Sequence, residues 1–196
     1  MNPFKIKYFY HLILIIIIYS CSTYNTNEEG CKSLYKNLNS KVSEINETIN
    51  NIFNELKYEL ENKLDSNNKL KDISILNEMI DTLNLRIKNS ILIIDTIKEC
   101  DESIQIKKGA IKYLKDSKEI SDKISTLVKY FNVGFNERQR DSLYNMSIDI
   151  YRLAIETTNK YDLIVKKFSK KYNLEYYFNE FDYIKQNNVI NNYEKK

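Results

Sequence analysis

The sequence is poor in the residues that most often shape turns or carry chemistry. Among its 196 residues there are one His, one Pro, three Gly and no Trp. The His is His11 and the Pro is Pro3, and both lie in a segment that we expect to be removed. The mature chain would then offer no imidazole for acid–base catalysis, nucleophile activation or metal binding. The shortage of turn formers also argues against a sheet-rich fold.

The start of the chain has the pattern of a secretory signal peptide. Lys5 and Lys7 are followed by an apolar run of about 14 residues, and Ser20 then precedes Cys21. This run is shorter than the ~20 residues that a membrane-spanning helix needs. We therefore expect residues 1–20 to be a cleaved signal peptide rather than a transmembrane anchor.

Ile18-Tyr19-Ser20-Cys21 resembles the lipobox of bacterial lipoproteins, with an aliphatic residue three places before the Cys and a small residue just before it. Tyr19 departs from the usual small or aliphatic choice. The resemblance implies that Cys21 is lipidated and becomes the first mature residue. Acyl chains would then anchor the protein stably to a membrane. By resemblance to lipoprotein sorting rules, the absence of Asp after Cys21 permits delivery to the outer membrane in a cell that has one. We expect the outer membrane or cell surface of a bacterial envelope.

The charge of the chain gives no sign of a nucleic-acid partner. Removing Lys5 and Lys7 lowers the net charge from +3 to +1. The basic character of the full chain is therefore not evidence for nucleic-acid binding, and no nucleic-acid partner is expected. The polar residues 21–30 are predicted to be a tether between lipid and domain.

After Gly30, apolar residues recur every three or four positions along four stretches, which is typical of amphipathic helices. The stretches are separated by polar turns at 65–68, 100–103 and 132–134. The stripes are Leu34, Leu38, Val42, Ile45, Ile49, Ile52, Leu56, Leu60 and Leu64; Leu76, Ile80, Leu83, Ile87, Ile91, Ile94 and Ile97; Ile106, Ala110, Leu114, Ile120, Ile124, Leu127 and Phe131; and Leu143, Met146, Ile150, Leu153, Thr157, Tyr161, Ile164 and Phe168.

These stretches predict an all-α fold, an antiparallel up-down-up-down four-helix bundle over residues 31–171. A parallel dimeric coiled coil is the alternative, which the evenly spaced polar turns disfavour. Leu92 and Ile93 widen the second stripe, so the second helix is expected to be the most buried. Asn136 and Gln139 have the spacing of a capping box at the start of the fourth helix.

Cysteine placement predicts a disulfide. If Cys21 carries lipid, Cys31 and Cys100 remain. Cys31 lies 36 residues before Asn67, the centre of the first turn, and Cys100 lies 33 residues after it. In an antiparallel hairpin these positions face each other, so a bridge is predicted in an oxidising compartment. Two free thiols near helix ends are the alternative.

An aromatic cluster marks the C-terminal extension, residues 172–196. Tyr177, Phe181 and Ile184 keep helical spacing. The rings can cap the open end of the bundle, or they can form an exposed patch for a partner. The candidate partner-binding residues are Tyr176, Tyr177, Phe181 and Tyr183.

No motif for catalysis or cofactor binding is found. Bundle di-metal sites need His beside Glu, which the mature chain lacks. Asp101 and Glu102 are interpreted as a solvated surface pair rather than as an acid/base pair. Thr157, beside Tyr161, is the one clear polar interruption of the stripes, so a dry core is expected. We expect no enzyme activity, no metal and no cofactor.

The chain resembles predicted bacterial surface lipoproteins of unknown function. The resemblance rests on the lipobox, on a four-helix domain of this size, and on the segment Gln139–Lys171 after a short loop. The resemblance implies a location and a fold but no catalytic residues. We expect a lipid-anchored binding or structural module whose partner is an envelope or host protein. The alternatives are a ligand-binding domain with a pocket between the helices and an adhesin.

Overall fold

The computed structural model describes residues 3–62, 70 and 72–176, with side chains over 28–60, 70, 72–136 and 139–176. The chain forms four helices, α1 (Pro3–Asn62), α2 (Ser74–Thr96), α3 (Ile106–Val133) and α4 (Glu137–Lys171). No strand occurs within these described ranges. The prediction of an all-helical fold with four helices is therefore confirmed.

The first helix is longer than the periodic stretch that predicts it. α1 begins at Pro3, so it includes residues that the sequence divides into a signal peptide and a tether. The boundaries predicted at residues 20, 30 and 171 stay predictions. The predicted turn at 65–68 and Leu64 of the first stripe lie outside the described residues, between the end of α1 and the start of α2.

The other two breaks lie close to their predicted positions, although Asn132 and Val133 of the predicted loop 132–134 belong to α3. Residues 100–103 fall between α2 and α3, and the segment around Gly134, which has a φ of 88°, separates α3 from α4. The predicted capping box is also present. The Asn136 side chain accepts from the Gln139 backbone N–H at 3.1 Å, and the Gln139 side chain accepts from the Asn136 N–H at 3.0 Å. Two backbone donors at the start of α4 are thereby satisfied.

The predicted apolar stripes form the core. Their buried members lie on all four helices, and Met146, Leu153 and Ile164 of α4 are half-buried. The large side chains that are almost fully buried include Leu38, Ile45, Ile49, Ile52, Leu76, Leu83, Ile94, Ile106, Leu114, Tyr161 and Phe168. Burial of this apolar surface is the main favourable term for the fold.

The expectation that the second helix is the most buried is wrong. Leu92 is 59% exposed and Ile93 is 49% exposed. Among the described helices, α2 packs against α1 and α3, and its outer face has no helix over it. The width of an apolar stripe reports how many apolar residues a helix has, whereas burial depends on how many neighbours cover them.

α3 lies at the centre of the arrangement, because it packs against each of the other three helices. The backbones of α1 and α4 stay further apart, and stacked rings fill the space between them. The ring centroids of Tyr35 and Phe168 are 5.8 Å apart, and those of Phe53 and Tyr151 are 4.1 Å apart. Aromatic side chains therefore connect two helices whose backbones do not meet.

Candidate functional site at the disulfide end of the bundle

Cys31 near the middle of α1 and Cys100 in the loop between α2 and α3 form a disulfide, as the sequence predicts. Their Cα atoms are 5.5 Å apart, within the usual range for such a bridge. Cys31 is 1% exposed and belongs to the core, and Cys100 is half-buried and packs against it. We call the part of the bundle around Cys31, Cys100, Asp101 and Tyr172 the disulfide end.

Asp101, next to the disulfide, is buried and satisfied by several donors. Its carboxylate accepts from the Lys171 ammonium at 2.6 Å and from the Tyr172 hydroxyl at 3.0 Å. It also accepts from the Ser103 backbone at 2.9 Å and the Ser103 hydroxyl at 2.6 Å. Burial alone would raise the pKa of Asp101. The hydrogen bonds from Lys171, Ser103 and Tyr172 outweigh burial and hold that pKa well below its usual range.

Glu99, on the other side of Cys100, caps α3 from outside the helix. The residue at the N-cap position, Gln105, is left-handed with a φ of 54° and makes no side-chain capping bond. Instead the Glu99 carboxylate accepts from the backbone N–H groups of Lys107 at 2.9 Å and Lys108 at 3.4 Å. A carboxylate in this position accepts from backbone N–H groups of the first turn that have no partner within the helix, and its negative charge complements the helix dipole.

An aromatic stack joins the start of the C-terminal extension to α1 at this end. Phe168 stacks on Tyr35 and lies 4.6 Å, centroid to centroid, from Tyr172. The Tyr35 hydroxyl donates to the backbone carbonyl of Glu175 at 3.2 Å. The chain is therefore held against the bundle through Glu175, and the disulfide end joins α1, the α2–α3 loop and the end of α4.

The interpretation of Asp101 and Glu102 as a solvated pair is wrong for Asp101. Asp101 is 7% exposed, whereas Glu102 is exposed. The partners Lys171 and Tyr172 lie 70 and 71 residues further along the chain. No local sequence signal distinguishes a carboxylate with such distant partners from an ordinary loop acid.

The expectation that Thr157 is the one clear polar interruption of the core is also wrong. Buried polar side chains occur on all four helices: Asn39, Asn46, Thr48, Glu59, Ser90, Ser117, Ser121, Thr157, Thr158 and Ser169. The Tyr113 hydroxyl donates to the Asn46 side chain, and the Tyr161 hydroxyl donates to Asn39 at 3.4 Å. Burial raises the pKa of both tyrosines, so both stay protonated donors.

A groove lies on the outside of the bundle between α2 and α3, with a volume of about 640 Å³. We call it the α2–α3 groove. Its floor is apolar, and the charged residues that line it are all lysines. The lining residues are Asn84, Leu85, Ile87, Lys88, Ile91, Leu92, Lys115 and Lys118. Sequence reasoning assigned Leu92 to the core, so this surface was missed.

Of the four candidate partner-binding residues, only Tyr176 lies within the described residues. Tyr176 is 37% exposed, donates to the Asp162 carboxylate, and has the Lys166 ammonium 5.4 Å from its ring centroid. Tyr177, Phe181 and Tyr183 lie outside the described residues. The lipidation candidate, Cys21, belongs to α1, and its modification stays a prediction.

Within the described part of the chain, no group of three or more His, Cys, Asp or Glu is placed to hold a metal ion. No helix of the described residues combines the length and the apolar character needed to cross a membrane. Comparison of the chain with protein-family models, with curated proteins and with solved structures finds no match.

Proposed function

We propose that this chain is an exported, lipid-anchored helical protein of the bacterial cell envelope that acts as a binding or structural module without catalysis. The observation that carries the proposal is that two of the three cysteines are paired and the third lies in a lipobox-like sequence. Cys31 and Cys100 are paired, which leaves Cys21 as the cysteine at the end of the lipobox-like sequence Ile18-Tyr19-Ser20-Cys21.

The disulfide supports export because such bonds persist in oxidising compartments and are rare in the cytosol. The Cys31–Cys100 bridge has one buried and one half-buried cysteine and joins two segments 69 residues apart. A structural bridge of this kind is typical of extracytoplasmic domains. It agrees with a signal peptide at the start of the same sequence.

The proposed topology of the domain is up-down-up-down. Contacts between neighbouring helices support it, because residue numbers that rise on one helix fall on the next. Arg86 of α2 donates to Thr48 of α1 at 2.7 Å, and Cys100 pairs with Cys31. Ser121 of α3 donates to Asn84 of α2 at 2.9 Å, whereas Lys107 of α3 donates to the Asp95 carbonyl of α2 at 2.8 Å. Between α3 and α4, Gly109 lies against Ile164, whereas the Tyr113 ring lies 5.4 Å from the Tyr161 ring.

This topology gives the module an orientation. Cys31 follows the lipidation candidate by ten residues, so the disulfide end is the end nearest the lipid. The opposite end, with the loop before α4, then faces away from the membrane. The disulfide and the Asp101 bonds would strengthen the end of the bundle at which the anchor is attached.

Metabolic labelling with a palmitate analogue tests the proposal. The full chain should be labelled in bacteria, and Cys21→Ala should lose both the label and membrane fractionation. A matched control is the double variant Cys31→Ala/Cys100→Ala, which removes the bridge and should keep the label. A wild-type chain without label would show that the protein is not a lipoprotein, and a Cys21→Ala chain with label would show that Cys21 is not the lipidated residue.

The second candidate function is partner binding through the aromatic extension, as in an adhesin or ligand-binding domain. It is favoured by Tyr176 of the extension, whose ring is 37% exposed and has the Lys166 ammonium of α4 5.4 Å from its centroid. Pull-down with the full chain and with Tyr177→Ala/Phe181→Ala tests this function. Equal recovery of partners by both chains would contradict it.

A further inference from the structure

The α2–α3 groove combines an exposed apolar floor with charge of one sign. Leu85 and Leu92 are both 59% exposed and lie two helical turns, about 10 Å, apart on α2. Lys88 lies between them on the same helix, and Lys115 and Lys118 of α3 line the other side. An exposed apolar patch with a charged rim is typical of an interaction site.

The positive charge is concentrated near the middle of the groove. Hydrogen bonds from Ser121 and Lys107 of α3 reach α2 one turn before Lys88 and two turns after it. Lys115 lies between the same two donors on α3, so Lys88 and Lys115 stand at about the same level on opposite sides of the groove. Both charges therefore lie at a level between the two leucines.

Neither Lys88 nor Lys115 forms an ion pair among the described residues. The acid four residues after Lys115 is Glu119, and it pairs with Lys123 at 3.6 Å. The positions three and four residues from Lys88, where a helix would supply a counter-ion, hold Asn84, Leu85, Ile91 and Leu92. An occupant of the groove can therefore supply the carboxylates that α2 and α3 do not.

This charge pattern disfavours a second copy of the chain as the occupant. Two copies packed groove to groove cover both Leu85 and Leu92 with leucines only when Lys88 lies beside its own counterpart. Like charges placed together in an interface cost binding energy.

The two ends of the groove disfavour an anionic membrane as the occupant. Asp81 and Asp95 are exposed and lie one turn beyond Leu85 and Leu92 on α2. A flat anionic surface that reached both leucines would also approach these two carboxylates, which repel it.

A helix of another protein fits both the spacing and the charge. A helix that runs along α2 has the same rise per residue, so apolar side chains at its positions i and i+7 match Leu85 and Leu92. Carboxylates at its positions i+3 and i+4 lie on the same face between them. This arrangement is the helix-in-groove mode of recognition.

We propose that the α2–α3 groove binds an acidic amphipathic helix of a partner protein. Its apolar side chains pack on Leu85 and Leu92, and its carboxylates pair with Lys88 and Lys115. This inference goes beyond the proposed function, because it requires neither the lipid anchor nor the aromatic extension.

A synthetic peptide tests this site in the full chain, with fluorescence anisotropy as the measurement. The probe is a fluorescein-labelled helix of about 18 residues, built from Ala and Gln, with Leu at i and i+7 and Glu at i+3 and i+4. Wild type should bind it, and Leu85→Ser/Leu92→Ser should weaken binding about tenfold, because both leucines lose their apolar contacts. Leu163→Ser is the matched control and should bind as wild type does, since Leu163 is also 59% exposed but lies on α4.

Charge exchange provides the second arm of the experiment. Lys88→Glu/Lys115→Glu should weaken binding of the Glu peptide about tenfold and should bind a matched peptide that has Lys in place of both Glu. Lys129→Glu, at an exposed site outside the groove, should leave binding of the Glu peptide unchanged. Far-UV circular dichroism verifies that each variant is folded.

Four results would each overturn the proposal. Wild type that does not bind the Glu peptide, or that binds the Lys peptide equally well, would show that the groove does not select an acidic helix. Displacement of the peptide by phosphatidylglycerol vesicles but not by phosphatidylcholine vesicles would identify a membrane-binding face. A dimer in analytical ultracentrifugation that Leu85→Ser/Leu92→Ser dissociates would identify a second copy as the occupant.

Discussion

The Lys171 ammonium at the end of α4 lies 2.6 Å from the Asp101 carboxylate in the loop between α2 and α3. The same loop is bonded covalently to α1 through Cys100, and its Glu99 caps α3. One loop therefore ties together the ends of all the helices that meet there. Because these ties are of three different chemical kinds, they can be removed one at a time.

Replacing Asp101 with Asn should destabilise the protein at neutral pH. The buried carboxylate accepts hydrogen bonds from Lys171, Tyr172 and Ser103. The amide of Asn would accept more weakly from the charged donor among them. We expect a loss of about 1–3 kcal/mol in the free energy of unfolding, measured by urea denaturation. Glu102→Gln, at the neighbouring exposed site, should change stability little. Equal effects of the two substitutions would contradict the role of Asp101.

The pH dependence of the same variant follows from the lowered pKa. A carboxyl group whose pKa is lowered by folding stabilises the folded state fully above its unfolded pKa, about 3.9 for Asp. That stabilisation is lost as the pH falls below this value toward the folded pKa. The stability difference between wild type and Asp101→Asn should therefore be constant from about pH 7 to 5 and shrink below about pH 4. A difference that grows in acid would be inconsistent with this sign.

The Cys31–Cys100 bridge should contribute strongly to stability because it closes a long loop. For a sequence separation of 69, the chain-entropy model gives about 4 kcal/mol. The variant Cys31→Ser/Cys100→Ser should therefore unfold at a clearly lower urea concentration than wild type. Mass spectrometry of the non-reduced protein after alkylation provides the direct check. Two alkylated thiols at positions 31 and 100 would show that the bridge does not form.

The helices and the bridge could be predicted from the sequence because their signals are local or follow from spacing. Leu34 to Leu56 repeat with the helical period, and Asn136 and Gln139 lie three residues apart. Cys31 and Cys100 are nearly equidistant from one turn. The Asp101–Lys171 pair has no such signal, because its residues meet through the packing of separate helices. The exposure of Leu92 depends on which helices cover α2, which periodicity does not report.

The buried pair of Tyr113 and Asn46 should behave differently when one member or both are replaced. Tyr113 donates to the Asn46 Oδ1, and Asn46 Nδ2 has no hydrogen-bond partner among the described residues. Tyr113→Phe alone leaves Asn46 less satisfied and should cost about 1–3 kcal/mol. Asn46→Leu/Tyr113→Phe removes both polar partners and should recover most of that loss. A double-mutant cycle in urea measures the coupling, and purely additive effects would show that the pair does not interact.

The close contact of α3 and α4 at Gly109 leads to the last prediction. A Cβ at this position would lie 2.7 Å from Ile164 Cδ1 and 3.7 Å from Tyr161 Cδ2. Gly109→Ala gains up to about 1 kcal/mol in helix propensity but must displace the end of the Ile164 side chain. The stability of Gly109→Ala should therefore stay within about 1 kcal/mol of wild type.

Ile164→Val removes the clashing methyl group, so Gly109→Ala should be more favourable in that background than in wild type. Gly109→Val, which overfills the same space, should cost about 1–3 kcal/mol. Thermal unfolding of wild type, Gly109→Ala, Ile164→Val and their combination measures the coupling, and Gly109→Val is measured beside them. An unfavourable effect of Gly109→Ala in the Ile164→Val background would show that Ile164 is not the residue that restricts this contact.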